Sequence, residues 1–206
     1  HGNYLEAYGR LDVPAAVGTP GARNSRAVEN AGPAISSVTH FPVVPGPSEP
    51  VVVTARVDDP DGVGEATLRY RLDPATTWTD VAMRDDGAAG DAVPGDGVYA
   101  ATIPAPGVAK LVAFTVEARD LAASPCTAVY PPGATKRECL VRFGDGSPSG
   151  AFGTYRLWVT QANSDAWKNR PVLSNEPVES TFVYGNSRAI YNSGSGADFL
   201  GASSRR

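Results

Sequence analysis

Leu111-Val-Ala-Phe-Thr-Val-Glu-Ala118 is the stretch on which the fold turns. Val112, Phe114, Val116 and Ala118 fall on one face of an extended chain, because successive side chains of a β-strand point to opposite sides. The same alternation recurs in Val51-Val-Val-Thr-Ala-Arg-Val57, with Val51, Val53, Ala55 and Val57 on one face, and in Leu68, Tyr70 and Leu72. Short alternating segments at 34–38, 51–57, 66–72, 77–83, 98–103, 111–118 and 139–143 are separated by turn residues, and no helix-period stretch competes with them. Seven strands over residues 34–143 predict a mainly β chain built on an Ig-like or fibronectin-III-like antiparallel β-sandwich.

Within that span, Trp78-Thr-Asp-Val-Ala-Met-Arg-Asp-Asp-Gly87 is followed by Gly90-Asp91, Gly95-Asp-Gly-Val-Tyr99 and Ile103-Pro104, then by the 112–118 alternation and Asp120. This string resembles a bacterial Ig-like module common in secreted multidomain proteins. Sandwich topology sends the loops after the second, fourth and sixth strands to one pole, and those loops hold Asp58, Asp59 and Asp61, then Asp85, Asp86, Asp91 and Asp96, then Asp120. Oxygen ligands on glycine-permitted turns suit calcium, so Asp85, Asp86, Asp91 and Asp96 are the candidate ligands. The spacing is not that of an EF-hand, and the competing reading is plain turn chemistry, in which Asp bonds its own backbone and Gly supplies positive φ.

Cys126 and Cys139 flank one loop containing Pro131-Pro132-Gly133, with no nearby His and no Cys-x-x-Cys spacing. That pattern is a poor metal or redox site and predicts a disulfide, which in turn favours export to an oxidising compartment; two unlinked thiols are the alternative.

The C-terminal quarter carries different signals. Tyr155, Leu157 and Val159 share one face of a predicted strand over 154–160; a short helix capped by Ser164, containing Trp167 and stopped by Pro171, should follow. Segments 179–184 and 188–191, joined by Gly185-Asn186-Ser187, predict a hairpin. The Tyr-Arg-Leu-Trp-Val strand, the helix over 161–170, the run Ser174-Asn-Glu-Pro-Val-Glu-Ser-Thr-Phe-Val-Tyr184, the Arg188-Ala-Ile-Tyr-Asn192 strand and Gly201-Ala-Ser-Ser204 together resemble the beginning of the CotH kinase family, secreted or spore-surface relatives of protein kinases. The resemblance covers about a quarter of the chain. It implies a parent enzyme using ATP and a divalent metal, and that family's basic strand and catalytic acidic residues would follow Arg206. The Arg-x-Arg-Gly approach usual in the family is not found around 193–199. The expected organisation is then a tail of a preceding domain and linker at 1–33, with a possible lamin-tail-like end, the sandwich at 34–143, a flexible linker at 144–151, and a truncated CotH-like start at 152–206.

Composition narrows the function. A net charge of −4 provides no basic field for nucleic acid, and no apolar run is long enough for a membrane span. Heavy Ala, Gly and Pro use, with Arg far outnumbering Lys, is the composition expected from the codon bias of a GC-rich bacterium. His1 and His40 are the only histidines, and neither adjoins a nucleophile motif. The expectation is therefore a fragment of an exported bacterial CotH-kinase-like protein, at the cell surface or outside it. Its sandwich serves as spacer or interaction module, its partners are other domains of the same protein, and no catalytic or cofactor-binding residues lie in the chain itself. The alternative is a non-enzymatic adhesion or glycan-binding surface protein, for which Trp78 or Tyr130 could stack on sugars.

Overall fold

The computed structural model describes residues 30–133, 137–146, 153–171 and 177–191. Expectations for residues 1–29 of the preceding-domain tail and for Gly201-Ala-Ser-Ser204 fall outside these. The chain divides into two compact units, His1–Ala31 and Gly32–Arg206, and nearly all described residues belong to the second.

Eight strands build the sandwich: β1 (Ala34–Phe41), β2 (Val51–Asp58), β3 (Val63–Leu72), β4 (Thr79–Ala82), β5 (Val98–Ile103), β6 (Lys110–Asp120), β7 (Thr127–Tyr130) and β8 (Cys139–Phe143). One sheet has the order β1-β2-β5, the other β4-β3-β6-β7 with β8 also on β6, and every pairing is antiparallel. The expected β-sandwich is present. Val51, Val53, Ala55 and Val57 from the first sheet and Leu68, Val112, Phe114, Val116 and Ala118 from the second are buried in one core, as their alternation requires. Leu72, expected inward, is exposed where β3 ends.

Residues 127–130 were expected to be loop and instead form β7. Thr127 to Tyr130 pair with Arg119 to Val116, and Cys139 to Phe143 pair with Phe114 to Lys110, so β7 and β8 lie end to end along one edge of β6. Pro131 and Pro132 follow β7 at once and offer no N–H to the ladder, which breaks the strand there. This arrangement overturns the expected disulfide. Cys126 adjoins Asp120, whose N–H bonds the Cys126 carbonyl, whereas Cys139 sits opposite Phe114. Six residues of strand at about 3.3 Å each separate the two by roughly 20 Å, far beyond disulfide reach. Both cysteines are free thiols, and Cys139 is buried in the core.

A bulge shapes β1. Ser36 pairs with Arg56 and Thr39 with Thr54, so β1 carries one extra residue, with Ser37 at φ 50°. The insertion reverses the facing of everything after it. Ile35 points inward opposite Val57, and beyond the bulge Val38 and His40 point inward too, His40 opposite Val53.

The C-terminal segment folds as β9 (Tyr155–Trp158), α1 (Gln161–Asn169), β10 (Thr181–Tyr184) and β11 (Arg188–Ile190), with sheet order β11-β10-β9. The expected hairpin forms between β10 and β11. Thr160, not Ser164, caps α1: its Oγ1 accepts the Asn163 N–H at 3.2 Å, and Ser164 lies inside the helix. Pro171 follows the last helical residues as expected. The face of Tyr155 and Leu157 is the outer one, and Trp158 and Val183 on the opposite face are buried in the sandwich core.

Polar ties join the two sheets systems as well. Leu140 N–H donates to Thr181 Oγ1, Gln161 N–H to Asp73 Oδ2, and Arg137 pairs with Glu179. The described part of the expected flexible linker is tied down too. Gly144 N–H bonds the Pro45 carbonyl, and Asp145 accepts from Arg142 at 2.7 Å and from the Trp158 indole at 3.2 Å. The Thr181 side chain thereby satisfies one buried amide of β8 that the β6 ladder does not use.

Candidate functional site

The acidic loops do emerge at one pole. β2 ends at Asp58, Val63 at the start of β3 pairs with Asp120 at the end of β6, and Val98 at the start of β5 pairs with Arg56. The loop between β4 and β5 is the elaborate one. Gly90, at φ 105°, lies so close to β2 that a Cβ there would meet Val52 Cγ1 at 2.4 Å, so only glycine lets the loop close down.

Three of the four candidate ligands come together: one oxygen each from Asp85, Asp91 and Asp96 lie within 4.8 Å of one another. Oxygens on one calcium, each about 2.3–2.6 Å from it, stand up to roughly 5 Å apart, so this triad has the right span. Asp86 stands outside it and accepts the Ala88 N–H in its own turn. Backbone donors offset the mutual repulsion. Asp85 accepts from Gly95, Asp96 and Gly97, Asp91 from Gly87 and Val93, and Asp96 from Val98. Those six bonds are the turn chemistry offered as the competing reading, and they leave further carboxylate lone pairs on each residue.

The remaining carboxylates have other duties. Asp59 accepts the Asp61 N–H, and Asp120 accepts from Ala122 and Cys126 to close the loop after β6. Asp58 pairs with Arg56 at 2.9 Å, and the same guanidinium reaches the Asp96 carbonyl at 3.3 Å, linking two acidic loops. The acidic pattern in the sequence did not point to Arg56, although its strand position two residues before Asp58, on the same face, was an available signal.

Neither candidate sugar platform is free. Arg69 and Arg71 lie over the Trp78 ring at 5.8 and 5.6 Å, and Tyr130 is half-buried against the core. On the outer face of the second sheet, Arg69 pairs with Asp80 and Glu117, so those charges satisfy one another. No helix among the described residues is long and apolar enough to cross a membrane.

Fold and site thus define an antiparallel β-sandwich with a terminal α+β annex sharing its core and an acidic pole. No protein-family model matches the chain, and no curated protein is significantly similar to it. The CotH-kinase and Ig-like-module resemblances therefore rest on the quoted residues alone.

Proposed function

We propose that the chain is an orienting module of an exported multidomain protein: the sandwich is a rigid platform that holds the CotH-like segment in a set direction. The observation that carries this reading is the common core, in which Trp158 and Val183 of the terminal sheet pack with sandwich residues while ion pairs and hydrogen bonds tie the two together. A plain bead-on-a-string spacer has no need of such a seam. The phosphoryl-transfer chemistry implied by the CotH resemblance, with its ATP and divalent metal, belongs in this reading to other parts of the parent protein. The partner is another domain of that protein, met at the outer face of the terminal sheet, where Tyr155, Leu157, Tyr184 and Ile190 are exposed. Nitrogen-15 relaxation provides the test. Amides of β10 should report the same tumbling time as those of β2 and β6, and a distinctly shorter time for β9–β11 would remove the platform.

A second element of the proposal is a structural calcium ion on Asp85, Asp91 and Asp96, supported by the span of the triad. It would lock the β4–β5 loop against β2. Binding to the native state alone contributes about 2.7 kcal/mol at a concentration 100 times Kd. Melting in millimolar calcium should therefore exceed melting in chelator by several degrees, and the difference should vanish in Asp96→Asn. Equal midpoints for the unaltered protein would leave the six backbone bonds as the whole explanation of the loop.

A further inference from the structure

We propose that His40 and Tyr191 form an acid-released latch: with His40 neutral they fasten the end of the terminal sheet to the sandwich, and protonation of His40 lets that sheet come away. This goes beyond the orienting role and rests on it, since a latch needs a seam to hold.

The latch is built from residues 151 positions apart in the chain. The β1 bulge turns His40 into the core, where it is 4% exposed. Its Nε2 lies 3.0 Å from the Val43 carbonyl oxygen, which can only accept, so Nε2 carries the proton. Nδ1 then has a lone pair, and the Tyr191 hydroxyl donates to it. The ring is surrounded by Phe114 of β6, Trp158 of β9 and Tyr191 beyond β11 at centroid distances of 6.3, 6.3 and 5.7 Å.

What faces the imidazole explains its response to acid. On the β11 side the ionisable neighbour is the Tyr191 hydroxyl, which burial, then the nearby Cys139 and Tyr130, hold well above its ordinary range, so it remains a proton donor. On the β7 and β8 side are Tyr130 and the buried Cys139 thiol, likewise pushed upward by burial and then by Glu138. On the β9 side the Trp158 indole stands toward Asp145, whose carboxylate is engaged by Arg142, Arg156 and that indole. Among the described residues no carboxylate contributes to holding a proton on His40. Burial lowers its pKa from 6.5 to about 4, with the Val43 carbonyl opposing the shift.

Protonation takes one proton from solvent onto Nδ1. Both ring nitrogens are then donors, so the Tyr191 hydroxyl must turn, and a charge sits among three aromatic rings. Opening the seam hydrates that charge. The sign follows from linkage: the open state binds the proton more readily, so the closed state is fully favoured above pH 6.5 and loses ground as pH falls towards about 4. Across that window the closed-to-open ratio should fall by up to roughly two orders of magnitude.

Hydrogen exchange of the whole chain, corrected for the pH dependence of intrinsic exchange, tests this. Protection of the Leu157, Phe182 and Val183 amides should drop at least about tenfold between pH 7 and 4.5, while that of Val53 and Val116 holds. His40→Gln, neutral throughout, should show no such drop. Unchanged protection in the unaltered protein, or the same drop in His40→Gln, overturns the latch. Should His40→Gln not fold, imidazole NMR of the unaltered protein decides. His1 is the only other histidine, and a His40 that titrates near its ordinary value without loss of protection would equally overturn the latch. Low protection of β10 already at pH 7 would instead count against the rigid platform itself.

Discussion

Trp158→Ala should destabilise the protein by about 3–5 kcal/mol, the cost of removing a large side chain from a packed core. Trp158 is 4% exposed, sits on the buried face of β9, stands beside His40 and donates its indole N–H to Asp145. Its removal leaves a cavity at the seam and withdraws one partner from a carboxylate that also serves Arg142 and Arg156. For a protein of this size the midpoint of thermal unfolding should fall by roughly 10 °C, and exchange protection in β9–β11 should suffer before that of β2 or β6. Trp158→Phe keeps most of the apolar volume and should cost about 1–2 kcal/mol, mainly the lost hydrogen bond and a smaller void. A change below about 1 kcal/mol for the alanine variant would mean that the terminal sheet adds little to the common core.

Arg71→Ala should be comparably damaging, at about 3–5 kcal/mol, because it leaves buried carboxylates without their counter-charge. Arg71 on β3 lies opposite Ala113 of β6, and its guanidinium reaches both oxygens of Glu138, just before β8, at 2.6 Å. It also meets Asp73 at 3.1 Å and the Ala75 carbonyl at 2.9 Å, and Asp73 in turn accepts the first N–H of α1. The side chains of Arg71, Asp73 and Glu138 are only 10%, 7% and 17% exposed, so salt should screen this loss weakly. Arg69 is the internal comparison. Its pairs with Asp80 and Glu117 lie in solvent, and Arg69→Ala should cost no more than about 1 kcal/mol. A similarly small, salt-sensitive loss for Arg71→Ala would show that water reaches the triad.

The alternation of Val51, Val53, Ala55 and Val57 and of Val112, Phe114, Val116 and Ala118 made the sandwich legible, because burial on one face of a strand imposes a period of two. The Asp- and Gly-rich loops were assigned to one pole for a related reason: antiparallel order fixes where each turn emerges. Four candidate ligands were named at that pole and three converge. A one-residue step from Asp85 to Asp86 turns the carboxylate into a different set of backbone donors. The pattern of acidic residues carried no record of which way each points.

Other features lay beyond local pattern. Cys126 and Cys139 look like the ends of one loop, yet the intervening residues include β7, and the ladder along β6 carries the two thiols apart. The alternation of Tyr155, Leu157 and Val159 marked a strand without saying which of its faces would be covered. Trp158 on the other face was chosen by the sandwich against which it packs. His40 had an unremarkable sequence setting and acquired its chemistry from a bulge that turned it inward and from Tyr191, brought back by the hairpin. What the sequence by itself determined is seven of the eight sandwich strands, β7 being the exception, the antiparallel sandwich and the acidic pole, since these follow from side-chain periodicity and turn chemistry acting over ten residues or fewer. Only the tertiary structure decided the separation of the thiols, the Arg71 triad, the seam and the His40–Tyr191 contact, because burial and charge pairing between distant segments depend on which surfaces meet after the strands have formed.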